Sequence, residues 1–194
     1  MRNIVIEQLN ESAKVKQKTA ELLTDAIVDA SQMIISAYRR GGKVLLIGNG
    51  GSAADAQHIA GELVGRFKLE RKALPALALT TNTSILTAIG NDYHYDVVFA
   101  RKVEAFANHP ADVLVAISTS GNSPNILRAV ETAKSRGMSV IGLLGKGGGK
   151  LTTMVDIALV VPSDDTQRIQ ETHITIGHIM CDLIEQTLFH ERII

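Results

Sequence analysis

Five short apolar runs, at residues 44–47, 76–79, 113–117, 140–144 and 157–161, are continuous rather than alternating. A strand with one wet face alternates apolar and polar side chains, whereas an unbroken run suits a strand covered on both faces. Helical stretches separate the runs at 53–64, 83–90, 98–107 and 124–136, the last with Pro124 in its first turn. Strand–helix–strand alternation predicts a parallel sheet with helices on both sides, because parallel neighbours need a crossover between them. The fold class expected is therefore α/β, a doubly wound parallel sheet. Ahead of the first run, Leu9, Ala13, Leu22, Leu23, Ala26, Ile27, Ala30, Met33, Ile34 and Ala37 recur at helical spacing until Gly41-Gly42. This long N-terminal helix must lay its stripe on the sheet or on another subunit. A final helix is expected over 166–189.

No linker or low-complexity tract interrupts residues 1–194, a length suited to one well-buried domain. The 20 basic and 20 acidic side chains cancel, which removes any general attraction to nucleic acid or to a membrane surface. With no Trp, three Tyr and four Phe, the chain also lacks an aromatic platform for single strands. Cys181 is alone, so no intrachain disulfide forms, which suits a reducing compartment. No apolar run approaches the roughly 18 to 20 residues of a membrane span, and the N-terminus has no secretion-signal core. A cytoplasmic protein is expected.

Three of the strands end in small-residue loops: GNGGS at 48–52, STSGNS at 118–123 and GKGGG at 145–149. Open α/β sheets bind ligands beyond the carboxyl ends of their strands, where such loops gather. Asn49, Gly50, Gly51 and Ser52 let backbone amides approach a bound group. Gly48 to Ala53 fits G-x-G-x-x-A, yet a dinucleotide site also needs an acidic residue ending the second strand. Glu70 precedes that strand, which ends in Thr80-Thr81, so a dinucleotide is disfavoured. GKGGGK is not a phosphate-binding P-loop, since Leu144 and Leu151 occupy positions that need Gly and Ser or Thr; a flexible strand-to-helix turn is expected there. Ser118, Thr119, Ser120 and Ser123 place four hydroxyls before a helix N-terminus, an anion site by chemistry and dipole. The alternative is a capped turn that binds nothing.

His58 and Glu62 lie four apart on the helix that leaves the first loop, hence on one face. In isolation they would read as a solvated pair. Near the cradle they suggest acid–base or metal chemistry on a phosphorylated small molecule. The last helix carries Gln170, His173 and His178. Gln170 and His178 are eight residues apart, roughly 12 Å along a straight helix, so one ion could take both only from an irregular helix or from two subunits. Whether His178 is a core histidine or a ligand stays open at this level.

Taken together, GNGGSAADAQHIAGELVGRF, LTAIGND, ISTSGNSPNIL, GMSVIGLLGK and RIQETHITIGHI resemble the bacterial sugar-phosphate isomerases of the SIS superfamily, the phosphoheptose isomerases above all. The resemblance covers nearly the whole chain. It implies a single SIS domain with a five-stranded parallel sheet, assembled as a homotetramer with sites at subunit interfaces. It implies one zinc ion per subunit on His58, Glu62, Gln170 and His178. Substrate contacts are implied for Asn49, Gly50, Gly51, Ser52, Glu62, Asn91, Asp92, Ser118, Thr119, Ser120, Ser123 and Gln170. The implied reaction interconverts sedoheptulose 7-phosphate and D-glycero-D-manno-heptose 7-phosphate on the route to ADP-heptose for lipopolysaccharide, with Glu62 and His178 catalytic. A second group of SIS proteins, non-enzymatic adaptors that bind the replication initiator DnaA, is similar at the ending CDLI…TLF. In those adaptors the catalytic pair is lost and a charge interrupts STSGNS; Glu62, Ser120 and His178 are all present here.

Overall fold

The computed structural model describes residues 1–189. In chain order the elements are α1 (Arg2–Arg39), β1 (Val44–Gly48), α2 (Gly51–Val64), β2 (Ala76–Ala78), α3 (Thr83–Asp92), α4 (Val98–Phe106), β3 (Val113–Ser118), α5 (Pro124–Ser135), β4 (Ser139–Leu144), β5 (Ile157–Val160) and α6 (Thr166–Phe189). The five strands form one parallel sheet in the order β2-β1-β3-β4-β5. Every residue of β1 and β3 is buried, as unbroken apolar runs require. β2 lies at an edge and is shorter than the run that predicted it, with Leu77 exposed.

Successive side chains of a strand point to opposite faces, so each strand feeds two cores. Val44, Leu46, Val115, Ile141 and Leu143 meet Ile34 of α1, Ile59 and Leu63 of α2, and Ile176 and Ile184 of α6. Leu45, Ile47, Leu114, Ala116 and Val140 meet Phe99 and Val103 of α4 and Ile126 and Val130 of α5. Register places Gly48 beside Ile117 and Ser118 beside Leu144. The carboxyl ends of β1, β3 and β4 are thus level, and their three loops open on the same side. No helix among the described residues is long and apolar enough to cross a membrane.

The apolar stripe of α1 is only partly covered by its own chain. Ile27 and Ile34 are buried, but Leu9 and Leu22 are exposed. Cys181 sits in the core between sheet and α6; burial and then the Glu62 charge push its thiol up to about 12, against the pull of Arg71. Of the two α6 histidines, His173 is the core one. It is fully buried and its Nε2–H donates to the Leu144 carbonyl at 2.9 Å. Its Nδ1 has no partner among the described residues. Burial brings its pKa down to about 4, although the bond to Leu144 opposes the shift.

That shift has a sign in stability. Between pH 6.5 and about 4 the unfolded chain binds a proton at this imidazole that the folded chain refuses, so stability is full above the unfolded value and falls on acidification through this window. His173→Gln keeps a donor for Leu144 without a titrating group. Its melting temperature should therefore fall less steeply than the parent's between pH 6.5 and 4; parallel pH profiles from calorimetry would count against the assignment.

Candidate active site

The β1–α2 loop turns tightly, with Gly50 at φ +55° and the Ser52 N–H donating to the Asn49 carbonyl at 3.0 Å. The Asn49 amide is engaged with Asn125 on the first turn of α5. Each side chain donates to the other, at 2.9 and 2.8 Å. This reciprocal pair ties the first loop to the helix that follows the second. Asn125 was not singled out from sequence, and only the neighbouring loop gives it meaning.

In the β3–α5 loop the Ser118 and Ser123 hydroxyls lie 3.3 Å apart, and the Asn122 N–H donates to Ser120 Oγ at 3.2 Å. The GKGGG stretch, expected as a flexible turn, is non-helical at Gly147, Gly148 and Gly149 and is hydrogen-bonded through the residues after it to this loop. Lys146, Gly147, Gly148 and Gly149 all have positive φ. The Leu151 N–H donates to the Gly121 carbonyl at 3.1 Å and the Lys150 N–H to Asn122 Oδ1 at 3.1 Å. Gly121 is itself at φ +63°, and a Cβ there would lie 1.8 Å from the Gly148 carbonyl oxygen. The hydroxyl loop is therefore held from behind by a glycine-built buttress.

His58 and Glu62 share one face of α2, with His58 Nε2 and Glu62 Oε1 3.1 Å apart. His178 reaches them from α6, its Nε2 lying 3.2 Å from that of His58. The crossing is close because Gly177 has no side chain: a Cβ would meet Ile59 Cδ1 at 2.7 Å. Phe67, from the loop after α2, stacks on the His178 ring at 5.7 Å. The ligand atoms of His58, Glu62 and His178 all lie within 4.8 Å of one another. One ring nitrogen cannot serve both neighbours by hydrogen bonding, since Nε2 of His58 as donor to Glu62 has no lone pair left for His178. A cation between the three atoms removes that conflict, and two imidazoles with a carboxylate form a donor set that suits zinc.

Gln170 lies against Gly51, where a Cβ would come within 2.6 Å of its Nε2. That is seven residues before His58, roughly 10 Å along α2, so Gln170 sits at the cradle rather than with the triad. Asn91 and Asp92 are exposed at the last turn of α3, with the Asn91 amide donating to Asp92 at 2.9 Å. Asp55, one turn before His58, was also missed. Its Oδ2 is buried without a partner among the described residues. Burial pushes its carboxyl up to about 6, with the His58 charge pulling the other way. Its i,i+3 spacing to His58 was the available signal.

The SIS domain pattern matches residues 8–145 of the chain, and the doubly wound sheet with its ring of loops is that of a SIS-domain protein. The phosphoheptose isomerase of Trichlorobacter lovleyi is 51% identical over 189 residues, covering 97% of this chain and 96% of the relative. That of Clostridium acetobutylicum is 52% identical over 195 residues, covering 100% and 99%. Among solved structures, a phosphoheptose isomerase from Francisella tularensis superposes with a TM-score of 0.91 at 43% identity, covering 95% of this chain and 97% of its own. The chain belongs to the phosphoheptose isomerase family.

The buttress yields a test. Gly121→Ala forces a side chain into a left-handed position and onto the Gly148 backbone. It should cost more than about 1 kcal/mol of stability and weaken sugar-phosphate binding by calorimetry. A variant matching the parent in both would refute the buttress.

Proposed function

We propose that this protein interconverts the ketose sedoheptulose 7-phosphate and the aldose D-glycero-D-manno-heptose 7-phosphate, the step that opens heptose supply for lipopolysaccharide. The observation that carries the reading is the convergence of His58, Glu62 and His178 on one point, in a chain whose strand ends also carry the hydroxyl loop. Aldose–ketose isomerisation moves one proton between adjacent carbons and another between their oxygens, through an enediol. Glu62 takes and returns the carbon-bound proton, and His178 exchanges the proton at oxygen. Ser118, Thr119, Ser120 and Ser123 hold the phosphate at the α5 N-terminus, with Asn49, Gly50, Gly51 and Ser52 completing the cradle. Asn91, Asp92 and Gln170 position sugar hydroxyls. The phosphate lies far from the reacting carbons, so its binding energy orients the sugar chain.

One zinc ion per subunit fits His58, Glu62 and His178; Gln170, expected as a fourth ligand, lies over Gly51 of its own chain and would reach the ion from a second subunit or by leaving that place. Bound there, zinc supplies Lewis-acid polarisation of the hydroxyl–carbonyl edge. The retained Glu62 and His178 favour this enzyme over the DnaA-binding adaptors. Glu62→Gln keeps the side chain's shape and removes the base. Turnover of sedoheptulose 7-phosphate should drop by at least the roughly 10²-fold typical of a lost general base, while binding of the sugar phosphate is kept. A near-parental rate would remove Glu62 from the mechanism. Elemental analysis and activity before and after chelation test the ion in the same way.

Assembly as a homotetramer, in the cytoplasm, completes the proposal. Leu22 is 67% exposed, and Val28 and Ile179 are exposed beside a groove between α1 and α6 that Ile27, Ile176 and Leu183 also line. Apolar surface of this kind marks an interface. Ile27, on the same stripe, is 6% exposed within its own chain, so a charge there would damage the core instead. Leu22→Glu is the cleaner probe: light scattering should show species smaller than the parent's, with little activity. A Leu22→Glu protein of parental mass and rate would exclude this face from assembly.

A further inference from the structure

We infer that the buried pair Arg71–Glu185 is a positioning clamp, which sets α2 against α6 and holds Phe67 on the His178 ring. The inference rests on the isomerase reading and on the triad as its centre. Arg71 and Glu185 have side chains 2% and 1% exposed, with Nε and Oε2 2.9 Å apart. Arg71 donates to the Glu62 carbonyl at 2.8 Å and to the Leu63 carbonyl at 2.7 Å, in the last turn of α2. Such terminal carbonyls have no partner within their own helix. Glu185 accepts the N–H groups of Phe67, Lys68 and Leu69 at 3.0, 2.7 and 2.6 Å.

Glu185 lies seven residues beyond His178, two turns along the same face of α6. One ion pair therefore grips the helix that carries Glu62, the helix that carries His178 and the segment that carries Phe67. Burial works against the Glu185 charge, yet the three N–H groups and the guanidinium hold its carboxyl below the usual range. The carboxylate is thus charged and saturated with donors. Lys68–Asp182, at 2.6 Å, closes the same segment from outside, but it is solvated and adds little. A buried ion pair is a poor device for stability, because apolar residues of like volume hold a fold as well. What it supplies is direction: every donor and acceptor here fixes the backbone between Glu62 and Leu69 relative to α6.

The discriminating variant is the double replacement Arg71→Met with Glu185→Leu, which keeps volume and removes the directed bonds. It leaves three N–H groups and two carbonyls without these partners and should melt below the parent, so every other readout is taken well below that transition. Its zinc affinity, read by chelator competition, should fall roughly 10- to 100-fold, as when partners behind a metal ligand are lost. Its kcat on sedoheptulose 7-phosphate should fall while KM changes little, because the hydroxyl loop is untouched. A third readout needs neither metal nor turnover. Phe67→Leu removes a ring current from His178 and defines the shift of its ring protons by NMR; the metal-free double variant should move in the same direction. A folded double variant with parental zinc affinity, kcat and His178 shifts overturns the clamp. Should the double variant not fold, Arg71→Lys keeps the charge without the fork and should show the same changes in smaller degree; parental behaviour there is equally fatal. A parent that neither binds zinc nor turns over the sugar refutes the proposed function instead, and the NMR comparison still judges the clamp.

Discussion

The chemistry available to this molecule depends on how closely α2 and α6 approach each other. The crossing is set where Ile59 lies on Gly177, a contact that leaves no room for a Cβ. The residues next to that contact are His58 and His178, so packing at one point decides whether two imidazoles share a ligand or face separate solvent. Interiors are packed to near-crystalline density, and a single added methyl at the crossing would have to displace the Ile59 side chain. Although 120 residues separate them in sequence, the two histidines are positioned by their nearest neighbours.

The parallel sheet supplies the other half of the arrangement. Because β1, β3 and β4 end level, the loops that follow them meet. One face of the sheet carries α2 and α6 with His58, Glu62 and His178, and the other carries α5 with the hydroxyl loop at its start. The Asn49–Asn125 amide pair ties the first of these loops to the start of α5.

Much of this was legible in the sequence because it is local. Buried strands announce themselves as unbroken apolar runs, and the reading of α1, α5 and α6 held to within a residue or two. β2 came out shorter, since an edge strand ends where pairing ends rather than where hydrophobicity does. His58 and Glu62 could be read because i,i+4 spacing on a helix leaving a cradle is itself geometry. The two histidines of α6 could not be told apart. They lie five residues apart, about 140° around the helix, and α6 is covered on several sides, so either could have faced the core. Only the position of the Leu144 carbonyl shows that His173 is the structural one. GKGGG was opaque for a similar reason: its four left-handed residues matter through a loop 25 or more positions earlier. Phe67, Asn125 and Arg71 likewise acquire their roles from partners far along the chain.

The lone cysteine has a practical consequence. Cys181 is buried on the inner face of α6, and its thiol is pushed up to about 12. As thiolate is the reactive species, the native protein should resist alkylating reagents and air oxidation near neutral pH. Reaction then requires α6 to lift from the sheet. The rate at which a maleimide consumes this one sulfur is therefore a built-in clock for that opening, readable in crude mixtures and without any engineered label.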